Sequence, residues 1–135
     1  MLEILLILVV TILNIGTGML WYSQKMFGKS WIELQGFSKE EMAKANTSSM
    51  KKTLLIAFAK TLIMTLVLLF FIILTDTDSF ISGIVLGLLL CIGFVMPAFL
   101  DSVLWERRPL KLFFINSSYY AVVIALSGGL LSIFQ

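Results

Sequence analysis

The sequence has no histidine and only one cysteine, Cys91, among its 135 residues. The missing histidine excludes His-based catalytic triads, histidine metal clusters and most general acid–base chemistry near neutral pH. A single cysteine excludes an intrachain disulfide and gives no information on the redox compartment. Charged residues are also scarce, at 13%, whereas hydrophobic residues make up 59%. One soluble core of this size cannot use that apolar surplus, so the composition predicts an integral membrane protein.

Four nearly uncharged stretches are each long enough to cross about 30 Å of hydrocarbon. They predict an all-α polytopic membrane protein, a single membrane domain over residues 1–135, with helices at about 3–24, 52–75, 79–104 and 110–134. A cleaved signal peptide is the alternative for the first stretch. The chain begins Met-Leu-Glu rather than with a basic segment, which favours a membrane helix.

Lysine and arginine occur on one predicted side of the membrane. They lie in the loop after the first helix and in the loop before the fourth, while the Thr75–Ser79 connection carries none. By the positive-inside rule, loops 25–52 and 105–111 are predicted to be cytoplasmic and both termini extracytoplasmic, in the cell membrane. An odd number of spans would put the two basic loops on opposite faces, so the charge distribution supports four spans.

The segment 25–51 is predicted to lie on the cytoplasmic membrane surface as an amphipathic segment. Phe27, Trp31 and Leu34 are spaced to share one apolar helical face. Ser38 followed by Glu41 fits a capping box and predicts a second short helix that ends near residue 46. A disordered basic loop is the alternative.

Polar residues inside the apolar helices are the candidates for function, because a charge at the bilayer centre costs roughly 2.5–3.5 kcal/mol. Counting from the basic loops predicts one such residue per helix in the cytoplasmic half, with further hydroxyl groups about one turn deeper on the fourth helix. The candidate polar layer comprises Asn14, Lys60, Asp101, Asn116, Ser117, Tyr119 and Tyr120.

Two interpretations of this layer remain open. In the first, Lys60 reaches the interface or pairs with Asp101, and the asparagines bridge helices, so the layer is structural. In the second, the layer lines a pocket or pathway that binds or passes a small solute, ion or lipid. The alternative function is a membrane scaffold or accessory subunit without transport activity.

Enzymatic activity is not expected, although a Ser-Lys dyad of Lys60 with Ser102 or Ser117 stays open. Metal-ligand spacing, a phosphate-binding glycine loop and an aromatic-basic platform are all missing, so no cofactor, metal or nucleic acid is expected. The expected partners are the lipid bilayer and further copies of the chain, while any small-molecule ligand is unknown.

Small residues recur every four positions on two helices, which favours close helix packing. These ridges pack either on each other or on a neighbouring subunit, and they underlie the expected homo-oligomer. On the third helix, Pro97 also frees the carbonyl of Gly93 and predicts a kink. The ridges are Ser79, Gly83, Gly87 and Cys91 on the third helix, and Ser117, Ala121, Ala125 and Gly129 on the fourth.

The stretch "LWYSQKMFGKSW" concentrates aromatic and basic residues at the end of the first helix. It is interpreted as an interfacial belt, a lysine anchor, a glycine bend and two aromatic residues that seat the surface helix. This spacing is more compact than a belt requires. The interfacial motif comprises Trp21, Tyr22, Phe27, Gly28, Lys29 and Trp31.

Together with "GFSKEEM", "SGIVLGLLLCIGFV" and "LKLFFINSSYY", this motif resembles a group of small bacterial membrane proteins known only as a domain of unknown function. The resemblance covers nearly the whole chain and implies about four helices but no reaction. The family often has a histidine after the last motif's tyrosine, where this chain has Tyr120. The resemblance marks Trp21, Tyr22, Ser23, Phe27, Gly28, Lys29, Trp31, Leu112, Phe113, Ile115, Asn116 and Tyr119.

Overall fold

The computed structural model describes residues 1–47 and 50–135, and these residues form helices without strands. Four helical spans are long and apolar enough to cross a membrane, which confirms the predicted all-α, four-span fold class. The helices are α1 (Leu2–Trp21), α2 (Gly28–Gln35), α3 (Lys39–Thr47), α4 (Met50–Leu74), α5 (Phe80–Leu90), α6 (Met96–Leu104) and α7 (Leu110–Ile133), and a π-helical turn (Cys91–Val95) joins α5 to α6.

Helix α7 is the central span of the bundle. It contacts α1, α2, α4, α5 and α6, and 44% of its apolar window is buried, against 11% for that of α1. The exposed residues of α1 are mostly large and apolar, as a helix surrounded by lipid requires. The third span is therefore positioned chiefly by α7, whereas α1 and α4 also pack on each other.

The tightest packing joins α5 to α7 through glycines. A Cβ atom on Gly83 would collide with the backbone carbonyl of Gly128, and one on Gly87 with the carbonyl of Ile124. The glycines of the α5 ridge thus pack within one chain against Ile124 and Gly128 of α7, and of the predicted α7 ridge Ala125 lies beside Gly87. The homo-oligomer stays a prediction that these glycines do not support.

The third span continues through Pro97 by widening rather than breaking. Proline has no N–H, so the carbonyl of Gly93 loses its α-helical donor. The chain forms a π-helical turn just before the proline, where the N–H of Met96 donates to the carbonyl of Cys91. A π-helical turn thus precedes Pro97 in an otherwise continuous span, and the kink predicted from Pro97 stays a prediction.

The described part of the segment after α1 contains the two short helices α2 and α3, the second of which begins where the capping pattern predicts. The hydroxyl of Ser38 accepts a hydrogen bond from the N–H of Glu41 at 3.1 Å, so it caps α3. Gly36 ends α2 with a φ of 66°, a left-handed conformation that glycine adopts without strain. Residues 48 and 49 of the predicted segment 25–51 lie outside the described residues.

Replacing Gly83 by alanine is expected to lower the free energy of unfolding by about 1–3 kcal/mol. The added methyl group would press α5 away from the carbonyl of Gly128. The matched control is Gly16→Ala, where nothing lies within 4 Å of the new methyl group. Thermal unfolding in detergent measures both variants, and equal stability of the two would contradict this close approach.

Candidate functional site

The end of α1 is hydrogen-bonded to the first turns of α7. The indole N–H of Trp21 donates to the carbonyl of Ile115 at 3.1 Å, and the hydroxyl of Tyr22 donates to Oδ1 of Asn116 at 2.7 Å. Burial raises the pKa of Tyr22, with smaller contributions from Tyr120 and Tyr119, so this hydroxyl remains a donor at neutral pH. These bonds to α7 go beyond the predicted role of Trp21 and Tyr22 as an interfacial belt.

Gly28 allows α2 to begin directly against the end of α1. Its N–H donates to the carbonyl of Ser23 at 2.9 Å, and the N–H of Phe27 donates to the carbonyl of Trp21 at 3.0 Å. A Cβ on Gly28 would collide with the carbonyl oxygens of Tyr22 and Ser23. Glycine is therefore required here by a close backbone approach, while Lys29 is exposed on α2.

Aromatic rings from four segments pack into a cluster at this end of the bundle. The ring of Tyr22 packs edge-on against Trp31, with 5.6 Å between centroids, and against Tyr119, with 5.4 Å between centroids. Such aromatic pairs stabilise by about 0.5–1.5 kcal/mol beyond their burial. The remaining pairs are Trp21 with Phe27, Trp21 with Tyr119, Trp31 with Phe37, Tyr119 with Tyr120 and Phe99 with Tyr120.

Lys60 and Asp101 are not brought together. The ammonium of Lys60 donates to the hydroxyl of Tyr120 at 3.2 Å and lies 5.5 Å from that ring's centroid. Asp101 is exposed on α6. Across residues 1–47 and 50–135 no ion pair joins them, so the structure does not show the pairing with Asp101, which was one of the two options for Lys60 in the structural interpretation of the polar layer.

Two adjoining cavities, which we call the basic-end cavities, open beside this cluster. Their volumes are about 410 and 360 Å³, and they share Gln35, Phe99 and Asn116. The guanidinium of Arg108 donates to the carbonyl of Gln35 at 2.6 Å and holds the two basic loops together. The larger cavity is also lined by Asp101, Ser102, Glu106 and Arg108, and the smaller by Tyr22, Trp31, Ile32 and Tyr120.

Asn14 lies apart from the basic-end cavities. Its amide Nδ2 donates to the hydroxyl of Ser127 at 2.9 Å, and Ser127 is about 16 Å further along α7 than Asn116. Trp21 contacts Ile115 rather than the loop before α7, so α1 extends deeper than counting from the loops assumed. Asn14 therefore does not lie at the depth of Asn116, although the two were predicted to lie at similar depth.

Neither candidate serine of a Ser-Lys dyad contacts Lys60 in the described parts of the chain. Ser102 donates to the carbonyl of Phe99 at 2.7 Å. Ser117 is buried, and its Oγ has no hydrogen-bond partner among the described residues. The same residues contain no group of histidine, cysteine, aspartate and glutamate side chains that could hold a metal ion.

Sequence reasoning missed four residues that matter at these sites. From the sequence, Arg108 was interpreted only as a positive charge that indicates topology. Nothing in the sequence pattern around Gln35 or Phe99 indicated a role at a cavity. Ser127 stands beside Gly128 and Gly129 and has the pattern of a packing residue. A hydroxyl group within an apolar span was the one available signal for Ser127.

Comparison with known families gives one match over nearly the whole chain. The model described as "Protein of unknown function (DUF1761)" matches residues 5–132. Neither the curated proteins nor the solved structures contain a match.

A double-mutant cycle on Tyr22→Phe and Asn116→Ala is expected to give an interaction energy of about 1 kcal/mol, because each change removes the same hydrogen bond. The free energy of unfolding in detergent is the measured quantity. The control cycle pairs Tyr22→Phe with Thr75→Ala at the opposite end, where additivity within about 0.5 kcal/mol is expected. Additivity in the first cycle as well would contradict the Tyr22–Asn116 bond.

Proposed function

The chain belongs to the DUF1761 family of proteins of unknown function, and from its geometry we propose that it binds the polar headgroup of a membrane lipid in the basic-end cavities. The observation that carries this proposal is the shared wall of the two cavities. Asn116 stands in both, and one cavity has charged walls while the other has aromatic walls. An amphiphile at the membrane interface has the same two-sided chemistry.

The charges of the larger cavity favour a headgroup that carries both signs. Asp101, Glu106 and Arg108 line it, and in the described residues no ion pair joins the guanidinium to either carboxylate. The bond from Arg108 to Gln35 leaves further guanidinium N–H groups for a phosphate. The carboxylates are suited to an ammonium group. Phosphoethanolamine combines both groups, so we expect it to be preferred over an anionic headgroup.

The amide of Asn116 fits the role of a hydrogen-bonding group between the two cavities. Its Oδ1 accepts from Tyr22, which orients the Nδ2 group and leaves its N–H groups available as donors. The aromatic walls from Tyr22, Trp31 and Tyr120 suit the apolar part of a lipid or a cation above a ring face.

Binding is favoured over passage by the packing below the cavities. Ile115 and Tyr119 are 5% and 9% exposed on α7, and the hydroxyl of Tyr119 reaches the backbone carbonyl of Asn14 at 3.2 Å. A continuous polar route through the bundle would have to pass these groups. A scaffold without a ligand is the competing function, and binding experiments distinguish the two.

We also propose that the basic loops face the cytoplasm and that both termini lie outside, because of the positive-inside distribution. A fluorescent protein fused after residue 135 is expected to be dark when exported to the bacterial periplasm, whereas alkaline phosphatase at that position is expected to be active. A fusion after Arg108 is the control and should give the reverse result. Fluorescence from the fusion after residue 135 would contradict this orientation.

Native mass spectrometry with added lipids tests the headgroup proposal. We expect phosphatidylethanolamine to be retained about fivefold more than phosphatidylglycerol, equivalent to roughly 1 kcal/mol. Asp101→Asn and Asn116→Leu are expected to remove that preference. Asp78→Asn at the opposite end is the matched charge control and should keep it. Equal retention of both lipids by the unmodified protein would favour the scaffold instead.

A further inference from the structure

A separate cavity, which we call the mid-membrane groove, lies within the apolar part of the bundle. Its volume is about 420 Å³, within the range of about 300–1,000 Å³ for ligand pockets. Met64 and Val67 of α4 form one wall, and Phe94 and Val95 of the π-helical turn form the facing wall. The lining is almost entirely apolar, and this groove shares no lining residue with the basic-end cavities.

The groove opens sideways, toward the space that lipid occupies around a four-span bundle. Val67 and Phe94 at its mouth are 50% and 75% exposed. Helices α4 and α5 make far fewer contacts with each other than α5 makes with α7, so the gap between them is unfilled by protein. A molecule dissolved in the bilayer has direct access to this groove.

The floor of the groove is polar, and its hydrogen-bond capacity is only partly used. Ser127 is 2% exposed, and its hydroxyl lies 2.6 Å from the carbonyl of Val123 and 3.1 Å from Oδ1 of Asn14. The single hydroxyl proton of Ser127 is directed to the nearer oxygen, that of Val123. The hydroxyl then accepts from Nδ2 of Asn14 at 2.9 Å. The second N–H of the Asn14 amide then has no partner among the described residues, and its Oδ1 has only the longer, 3.1 Å contact with the Ser127 hydroxyl.

The neighbouring threonine already uses its hydroxyl proton. Thr65 also lines the groove, but its hydroxyl donates to the carbonyl of Thr61 at 3.0 Å, and the hydroxyl of Thr11, which donates to the carbonyl of Ile7 at 2.8 Å, lies 3.4 Å away. The spare donor capacity is therefore concentrated on the half-buried amide of Asn14, in apolar surroundings where an unsatisfied polar group is costly.

We propose that the mid-membrane groove binds a lipid-soluble molecule with a long apolar body and one hydroxyl or carbonyl group, which hydrogen-bonds the amide of Asn14. A plain hydrocarbon chain fills the volume but leaves the amide unsatisfied. Water satisfies the amide but gains nothing from the walls formed by Phe94, Val95 and Val67. Only a molecule with both parts matches both the walls and the floor.

The π-helical turn contributes to the shape of this site. It contributes Phe94 and Val95 to the groove wall. Turns of this kind occur frequently at functional sites. Here the turn supplies two adjacent apolar side chains opposite the polar floor.

Photolabelling in lipid nanodiscs tests this proposal with two probes, a diazirine-bearing hexadecanol and the matched diazirine-bearing hexadecane. Mass spectrometry maps the labelled residues. The alcohol is expected to label the groove residues Met64, Phe94 and Val95 in the unmodified protein. Asn14→Leu is expected to reduce that labelling about fivefold, whereas labelling by the alkane is expected to be unchanged. Thr17→Val, a polar-to-apolar change on α1 outside the groove, is the matched control and should not affect either probe.

Val67→Trp provides a second variant at an exposed position, so its effect does not depend on how the bundle tolerates a change at Asn14. The larger side chain is expected to block the mouth and reduce groove labelling by both probes. The proposal is overturned if the alcohol labels groove and outer surface residues equally, or if Asn14→Leu reduces labelling by the two probes to the same extent.

Discussion

The hydrogen bonds from Trp21 and Tyr22 to the start of α7 are the constraint on which the basic end of this bundle depends. They set how far α1 extends into the membrane relative to α7, and so place Asn14 beside Ser127 rather than beside Asn116. The start of α2, whose Trp31 forms part of a cavity wall, is fixed by separate backbone bonds to Trp21 and Ser23. The separation of the two polar sites thus follows from one contact between helix ends.

Such contacts have particular weight in a membrane protein. Lipid chains are as apolar as leucine, so helices associate through close packing and hydrogen bonds rather than through the hydrophobic effect. The chain uses both means on α7, with glycine contacts toward α5 and polar contacts toward α1. Neither close glycine packing nor hydrogen bonding closes the gap between α4 and the π-helical turn. The mid-membrane groove lies in this gap.

The four spans were predictable because the bilayer imposes one simple requirement, an apolar length, on each of them. The cap at Ser38 was predictable for a similar reason, since it depends on residues close in sequence. The depth of Asn14 was not, because axial offset between helices depends on a tertiary contact that no local pattern contains. The same holds for Lys60, whose partner is Tyr120 and not the oppositely charged Asp101.

The turn between α1 and α2 explains why this stretch of sequence is defined by its spacing as well as by its side chains. Both ends of the turn are fixed by backbone bonds to Trp21 and Ser23, and Gly28 leaves no room for a side chain between them. One additional residue would rotate the following helix by about 100° and carry Trp31 away from Tyr22. The number of residues in this stretch therefore matters as much for the position of Trp31 as the identity of its side chains.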